Sequence, residues 1–143
     1  MNSLEWSSTN RIVSSPWSEP AGGLCPGGPC SVNHTNVEIY SPPYLFAGAR
    51  PAITAAPATL AANGSTFQVS VTGSVTAFSF IRMGSVTHTV DTDQRFMRLK
   101  AAGSGGTWKL TAPPNRNVAP PGYYMLFALA GDVPSIAAIV KVT

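Results

Sequence analysis

The chain has 143 residues, 44% hydrophobic and only 10% charged, and carries a net charge of +3. That length gives one domain with a real core and leaves hardly any room for a second. The nine cations are scattered, with no basic run and no aromatic–basic interleaving, which argues against nucleic acid, and no apolar stretch approaches the roughly 18 residues of a membrane span.

Residues 1–20 are rich in Ser and Asn, hold Trp6 and Trp17, and show no clear period. They are expected as an irregular tail, with a helix over Ser3 to Ile12 only weakly signalled. Glu5 and the lack of an apolar run at the start give no signal peptide, so an extracellular role implies a fragment or an incomplete gene. Residues 21–33 form a Gly/Pro/Cys loop. Its Cys25 and Cys30, in Cys-Pro-Gly-Gly-Pro-Cys, are either a short disulfide or two free thiols. No second Cys or His pair stands at zinc spacing.

Strand patterns begin at Val37-Glu38-Ile39-Tyr40 and stop at Ser41-Pro42-Pro43. Short runs follow at Ala52-Ile53-Thr54 and Thr59-Leu60, edged by Pro51 and Pro57. Thr66 to Thr72 alternates cleanly, with Phe67, Val69 and Val71 on one face. Val75 to Arg82, Arg95 to Leu99, Thr107 to Thr111, Tyr123 to Leu129 and Ile136 to Val142 complete the set. About seven to nine short strands with turn chemistry between them and no convincing core helix predict an all-β antiparallel sandwich, immunoglobulin-like, over residues 21–143. The predicted core is Val69, Val71, Phe78, Phe80, Leu99, Leu110, Met125, Phe127, Ile136 and Ile139. Tyr123, just after a Pro/Gly loop, is placed to make a tyrosine-corner bond. The triplets at Asn33 and Asn63 fit glycosylation sequons, a pattern that arises often by chance.

Between two of these strands lies Thr87-His88-Thr89-Val90-Asp91-Thr92-Asp93-Gln94-Arg95, a polar island in a chain with only two histidines. No Gly-x-Ser-x-Gly elbow, phosphate loop or HExxH motif is present. Asp91 and Asp93 read as turn-formers rather than a glycosidase pair. His88 is a metal ligand or a structural strut. Transition-metal sites need three or four ligands, and nothing brings His34 to His88. Arg82 and Arg95 are expected to pair with the two carboxylates at the surface.

This stretch resembles the signature loop in the C-terminal domain of galactose oxidase and the glyoxal-oxidase-like copper radical oxidases. Three further stretches agree in order: Gly22-Gly23-Leu24-Cys25 with Cys30, Asn33-His34 and Glu38 to Leu45; Ala49-Arg50-Pro51; and Pro121 to Phe127 followed by Val133-Pro134-Ser135. The likeness covers about Gly22 to Thr143.

The resemblance implies an early-set immunoglobulin-like domain beside a Kelch-type propeller. In that family the copper ion has two tyrosine and two histidine ligands, one tyrosine being cross-linked to a cysteine. The second histidine reaches in from the loop that His88 matches, with Thr87, Asp91, Asp93, Gln94 and Arg95 supporting it. The centre oxidises a primary alcohol or an aldehyde and reduces oxygen to hydrogen peroxide. The propeller is missing from this chain, and Tyr40, Tyr44, Tyr123 and Tyr124 do not stand for the copper tyrosines. The expectation is an extracellular fragment, inactive alone, that holds copper only with a propeller partner. The alternatives are a stand-alone module for glycan or protein, with Trp108 and Trp17 as candidate sugar platforms, or a purely structural domain.

Overall fold

Period-two alternation decides which side chains a strand buries, and in this chain the buried side chains come from two sheets that face each other. The computed structural model describes residues 3–6, 12–15, 38–87 and 90–143. In chain order the described elements are β1 (Ser3–Trp6), β2 (Ile12–Ser15), β3 (Glu38–Tyr40), a 3-10 turn (Pro43–Phe46), β4 (Ala52–Ala55), β5 (Thr59–Leu60), β6 (Thr66–Thr72) and β7 (Ala77–Arg82). They continue as β8 (Val86–Thr87), β9 (Val90–Asp91), β10 (Phe96–Leu99), β11 (Ala101–Ser104), β12 (Thr107–Thr111), β13 (Gly122–Ala130), β14 (Val133–Pro134) and β15 (Ala138–Val142).

One sheet runs β10-β7-β13-β15-β5, with β14 added to β13; the other runs β11-β12-β6-β4. All pairs are antiparallel except β15 with β5. Val69 and Val71 of β6 and Leu110 of β12 meet Phe78, Phe80, Tyr124, Leu126, Ala128, Val140 and Val142 from the other sheet in one core. This is the expected all-β, immunoglobulin-like sandwich. β6 and β12 occupy the residues predicted for them.

Several details differ from expectation. In the stretch expected as a tail, β1 pairs with β2, and β2 pairs with β3. The β-branched Ile12 and Val13 favour strand over the weakly signalled helix once a partner strand is available. β11, Ala-Ala-Gly-Ser, has no strand pattern of its own and forms by pairing with β12. Ile136 and Ile139, expected in the core, are 60% and 43% exposed. The alternation in β15 turns Val140 and Val142 inward instead, and Ile136 precedes the strand. Met125 and Phe127 are buried, but they alternate with the core residues Tyr124, Leu126 and Ala128 and so lie on the opposite face of the sheet.

The same one-residue register decides the tyrosine corner. Tyr123 is exposed, and it is Tyr124 whose hydroxyl donates to the Pro120 carbonyl at 2.9 Å. Tyr124 stacks on Phe80 with ring centroids 4.7 Å apart, and the Arg82 guanidinium lies 6.0 Å from its ring centre. Gly122 starts the strand at φ +149, and a side chain there would meet the Arg82 guanidinium at 3.4 Å.

Burial pushes the Tyr124 hydroxyl above its ordinary value of 10.0, with the nearby Arg82 opposing the shift. Tyr124→Phe should lose about 1 kcal/mol of stability at neutral pH, read by urea unfolding, because the Pro120 carbonyl loses its donor. A raised native pKa keeps its stabilisation below the unfolded value and loses it as pH climbs from about 10 through the native value. The wild-type midpoint should therefore fall at alkaline pH, and Tyr124→Phe should fall less; Tyr44, also raised by burial, supplies part of what remains. Phe80→Ala, which empties the stack, should cost about 3–5 kcal/mol in the same assay.

Candidate functional site

β7 and β10 are neighbours in the sheet, so the chain between them must leave the sandwich and return to it. The β-branched residues of the expected polar loop give it a ladder. Val86 pairs with Asp91, and Thr87 pairs with Val90. His88 falls in the sequence between these two paired strands. His88 itself lies outside the described residues, as do His34, Trp17, Cys25 and Cys30.

The base of this hairpin is held by one carboxylate. Asp91 Oδ1 accepts the backbone N–H of Ser85 and of Asp93, each at 3.0 Å. Thr92 closes the same turn, its N–H and its hydroxyl both donating to the Ser85 carbonyl at 3.1 and 3.2 Å. Short Asp side chains suit this task because they reach backbone donors two residues on. The fit is close: a Cβ added to Gly84 would come within 2.8 Å of Asp91 Oδ2.

Outside that staple, Asp93 Oδ2 lies 3.2 Å from Arg82 Nη2, which ties the turn to the end of β7. Arg95 does not pair with a carboxylate as expected. Its Nη1 donates to the carbonyls of Asn117 and Val118 at 3.3 Å each. Those carbonyls are presented by a turn that Asn115 organises, its Oδ1 accepting the N–H of both Asn117 and Val118 at 3.0 Å. Two cations thus brace the hairpin, one to its own strand and one to the Pro-rich connection before β13. Gln94 is exposed between them.

Gly84, Arg82 and Asn115 were not singled out as a unit from the sequence. Asn115 carried a local signal, since Pro-Pro-Asn-x-Asn is turn chemistry. Gly84 carried none, because only the folded hairpin brings Asp91 against it. The Trp108 ring packs edge-on against Phe78 at 5.5 Å, and its Nε1 donates to the Gly105 carbonyl. Among the described residues, no three His, Cys, Asp or Glu side chains converge to hold a metal ion. Asp91 Oδ1 is occupied by backbone donors and Asp93 Oδ2 faces Arg82. No helix among them is long and apolar enough to cross a membrane.

Residues 50–142 match the family model described as galactose oxidase-like, early set domain. A galactose oxidase of Gibberella zeae is 39% identical over 129 residues, covering 85% of this chain and 19% of that protein. The aldehyde oxidase GLOX of Vitis pseudoreticulata is 33% identical over 115 residues, covering 71% of this chain and 22% of that protein. Among solved structures, a fungal alcohol oxidase of the AA5 family in complex with copper superposes with a TM-score of 0.81 at 33% identity, over 99% of this chain and 30% of that one. The chain spans about a fifth of the length of these curated relatives.

Asp91→Ala should release the hairpin base while leaving the sandwich intact. Amide hydrogen exchange at Ser85 and Asp93 should quicken by about tenfold or more, the loss of roughly 1–2 kcal/mol locally. Gly84→Ala should loosen the same amides by crowding Asp91. Asp93→Asn should change global stability by less than about 1 kcal/mol in urea unfolding, since the carboxylate of the pair is 38% exposed and screened by water.

Proposed function

Because this chain belongs to the galactose oxidase-like early set domain family, we propose that it is the ligand-donating domain of a copper radical oxidase. His88 supplies one imidazole to a copper ion whose other ligands sit in a Kelch-type propeller outside this chain. Residues 21–143 are the donating domain, and the protein to which it belongs acts outside the cell. The low charge and hydroxyl-rich composition support that location.

The observation that carries the reading is the hairpin itself. β8 and β9, the strands on either side of His88 in the sequence, pair with each other on a base fixed by Asp91, Arg82 and Arg95. A metal ligand delivered to another domain needs such a base, because a loosely held imidazole loses affinity and geometry together. Neutral imidazole also suits copper. Bound there, copper supplies the oxidation of a primary alcohol or an aldehyde while oxygen is reduced to hydrogen peroxide. This chain's own part is to hold the imidazole and to keep Asp91 and Asp93 occupied by backbone donors and Arg82, away from the metal.

The ligand count sets the test. The purified chain with copper(II) should release no peroxide from alcohols or aldehydes. When this chain replaces the matching residues of the Gibberella zeae galactose oxidase, the fusion should retain copper and release peroxide, and His88→Ala should lose bound copper by at least tenfold. Peroxide release by the isolated chain, or full copper retention by His88→Ala, would overturn the reading.

A further inference from the structure

The triplet Asn63-Gly64-Ser65 has the spacing of an N-glycosylation acceptor, and the sandwich gives it a defined place. It lies in the turn between β5 and β6, where Asn63, Gly64 and Ser65 are all exposed. The Asn63 N–H donates to the Ala61 carbonyl at 3.1 Å, and the Gly64 N–H donates to the Pro113 carbonyl at 3.0 Å. The Ala112 N–H donates to the Ser65 carbonyl at 2.8 Å. One further bond comes from a side chain: Asn63 Oδ1 accepts the Ser65 N–H at 3.0 Å. Gly64 holds a φ of +73, a conformation that suits glycine. A backbone N–H can be accepted only by the oxygen of a carboxamide, so this bond divides the Asn63 side chain in two. The oxygen holds the turn. The Asn63 Nδ2 and the Ser65 hydroxyl have no hydrogen-bond partner among the described residues. Those are the two groups that glycan transfer uses, the amide nitrogen as nucleophile and the hydroxyl two residues on for recognition.

A second observation concerns charge. From Pro51 to Ile81 the sequence has no charged residue, its longest such stretch, and Asn63 lies within it. β5, just before Asn63 in the chain, is the last strand in the larger sheet's order. Exposed sheet edges are commonly guarded by charge, and β5 has no charged side chain of its own. We infer that Asn63 carries an N-linked glycan, a bulky hydrophilic group that hydrates this uncharged edge. The inference rests on the proposed reading that the protein acts outside the cell. Its relatives in Gibberella zeae and Vitis pseudoreticulata are eukaryotic, where exported proteins meet this chemistry. Asn63 Nδ2 attacks the anomeric carbon of an oligosaccharide carried on a polyprenyl diphosphate. An N–C bond forms as the sugar–phosphate C–O bond breaks. The lipid diphosphate leaves with the electron pair, and the nitrogen gives one proton to a base of the transferase. Oδ1 keeps its place as acceptor, so the turn survives the modification.

Production of the full chain behind a secretion signal in yeast tests the site. Enzymatic release of N-glycans in heavy-oxygen water converts each modified Asn to a labelled Asp, which peptide mass spectrometry assigns to its position. Position 63 should be labelled in most molecules, and a sample without the glycosidase should carry no label. Asn63→Asp keeps the Oδ1 acceptor and removes the nucleophile, so it should melt cooperatively and lose one glycan from its intact mass. Ser65→Ala should lose the same glycan, and Ser65→Thr should keep it. The glycan-free Ser65→Ala protein should also precipitate at a lower ammonium sulfate concentration than the wild type. An unlabelled position 63 in the folded, secreted chain would overturn the proposal, and so would label confined to Asn33 or label at 63 that persists in Ser65→Ala. Equal precipitation of Ser65→Ala and wild type would overturn the hydrating role. The added signal makes this test independent of where the native protein resides. Recovery of the native protein from the cytosol alone would overturn the extracellular reading instead.

Discussion

Tyr124 is where the core, the Pro-rich connection and the hairpin are joined. Its ring lies against Phe80 in the sandwich, its hydroxyl fixes the Pro120 carbonyl, and Arg82 sits over its face. Arg82 in turn holds Asp93, in the turn that closes the hairpin. A fully buried position of the larger sheet is thereby linked, through two side chains, to the turn that closes the hairpin. The link is geometric rather than strongly energetic. A half-exposed ion pair contributes little by itself, but it restricts where the hairpin can point once Tyr124 is fixed. The register of β13 is what places this residue, and not its neighbour Tyr123, inward.

The hairpin base shows how a sandwich poor in charge handles its few charged groups. Six acidic residues serve the whole chain, and two of them are used within three positions of each other. Asp91 satisfies backbone donors that the tight turn would otherwise leave open, and Asp93 receives Arg82. Arg95 reaches backbone carbonyls of a different loop. Each of these groups therefore has a structural partner.

Much of the sandwich could be read from alternation. β6 and β12 have a clean period of two, and their inward residues Val69, Val71 and Leu110 are buried as that period requires. Reading failed where local pattern was weak or ambiguous. Ile136 and Ile139 looked like core because they are large and apolar, yet the strand starts later and its phase turns Val140 and Val142 inward. In β13 eight consecutive apolar residues give no phase at all, so Tyr123 and Tyr124 could not be told apart from sequence. β11 carries no pattern to detect and exists because β12 offers it an edge.

The sequence by itself determined the all-β class, most strand positions and the polar island around His88, because periodicity, turn residues and charge are local properties. The resemblance in that island and its flanking stretches further identified the family. Only the tertiary structure decided the phase of β13 and β15, the staple of Asp91 against Gly84, and the reach of Arg95 to the Asn115 turn. These depend on which strands become neighbours, and pairing partners far apart in the chain leave no mark on the residues between them.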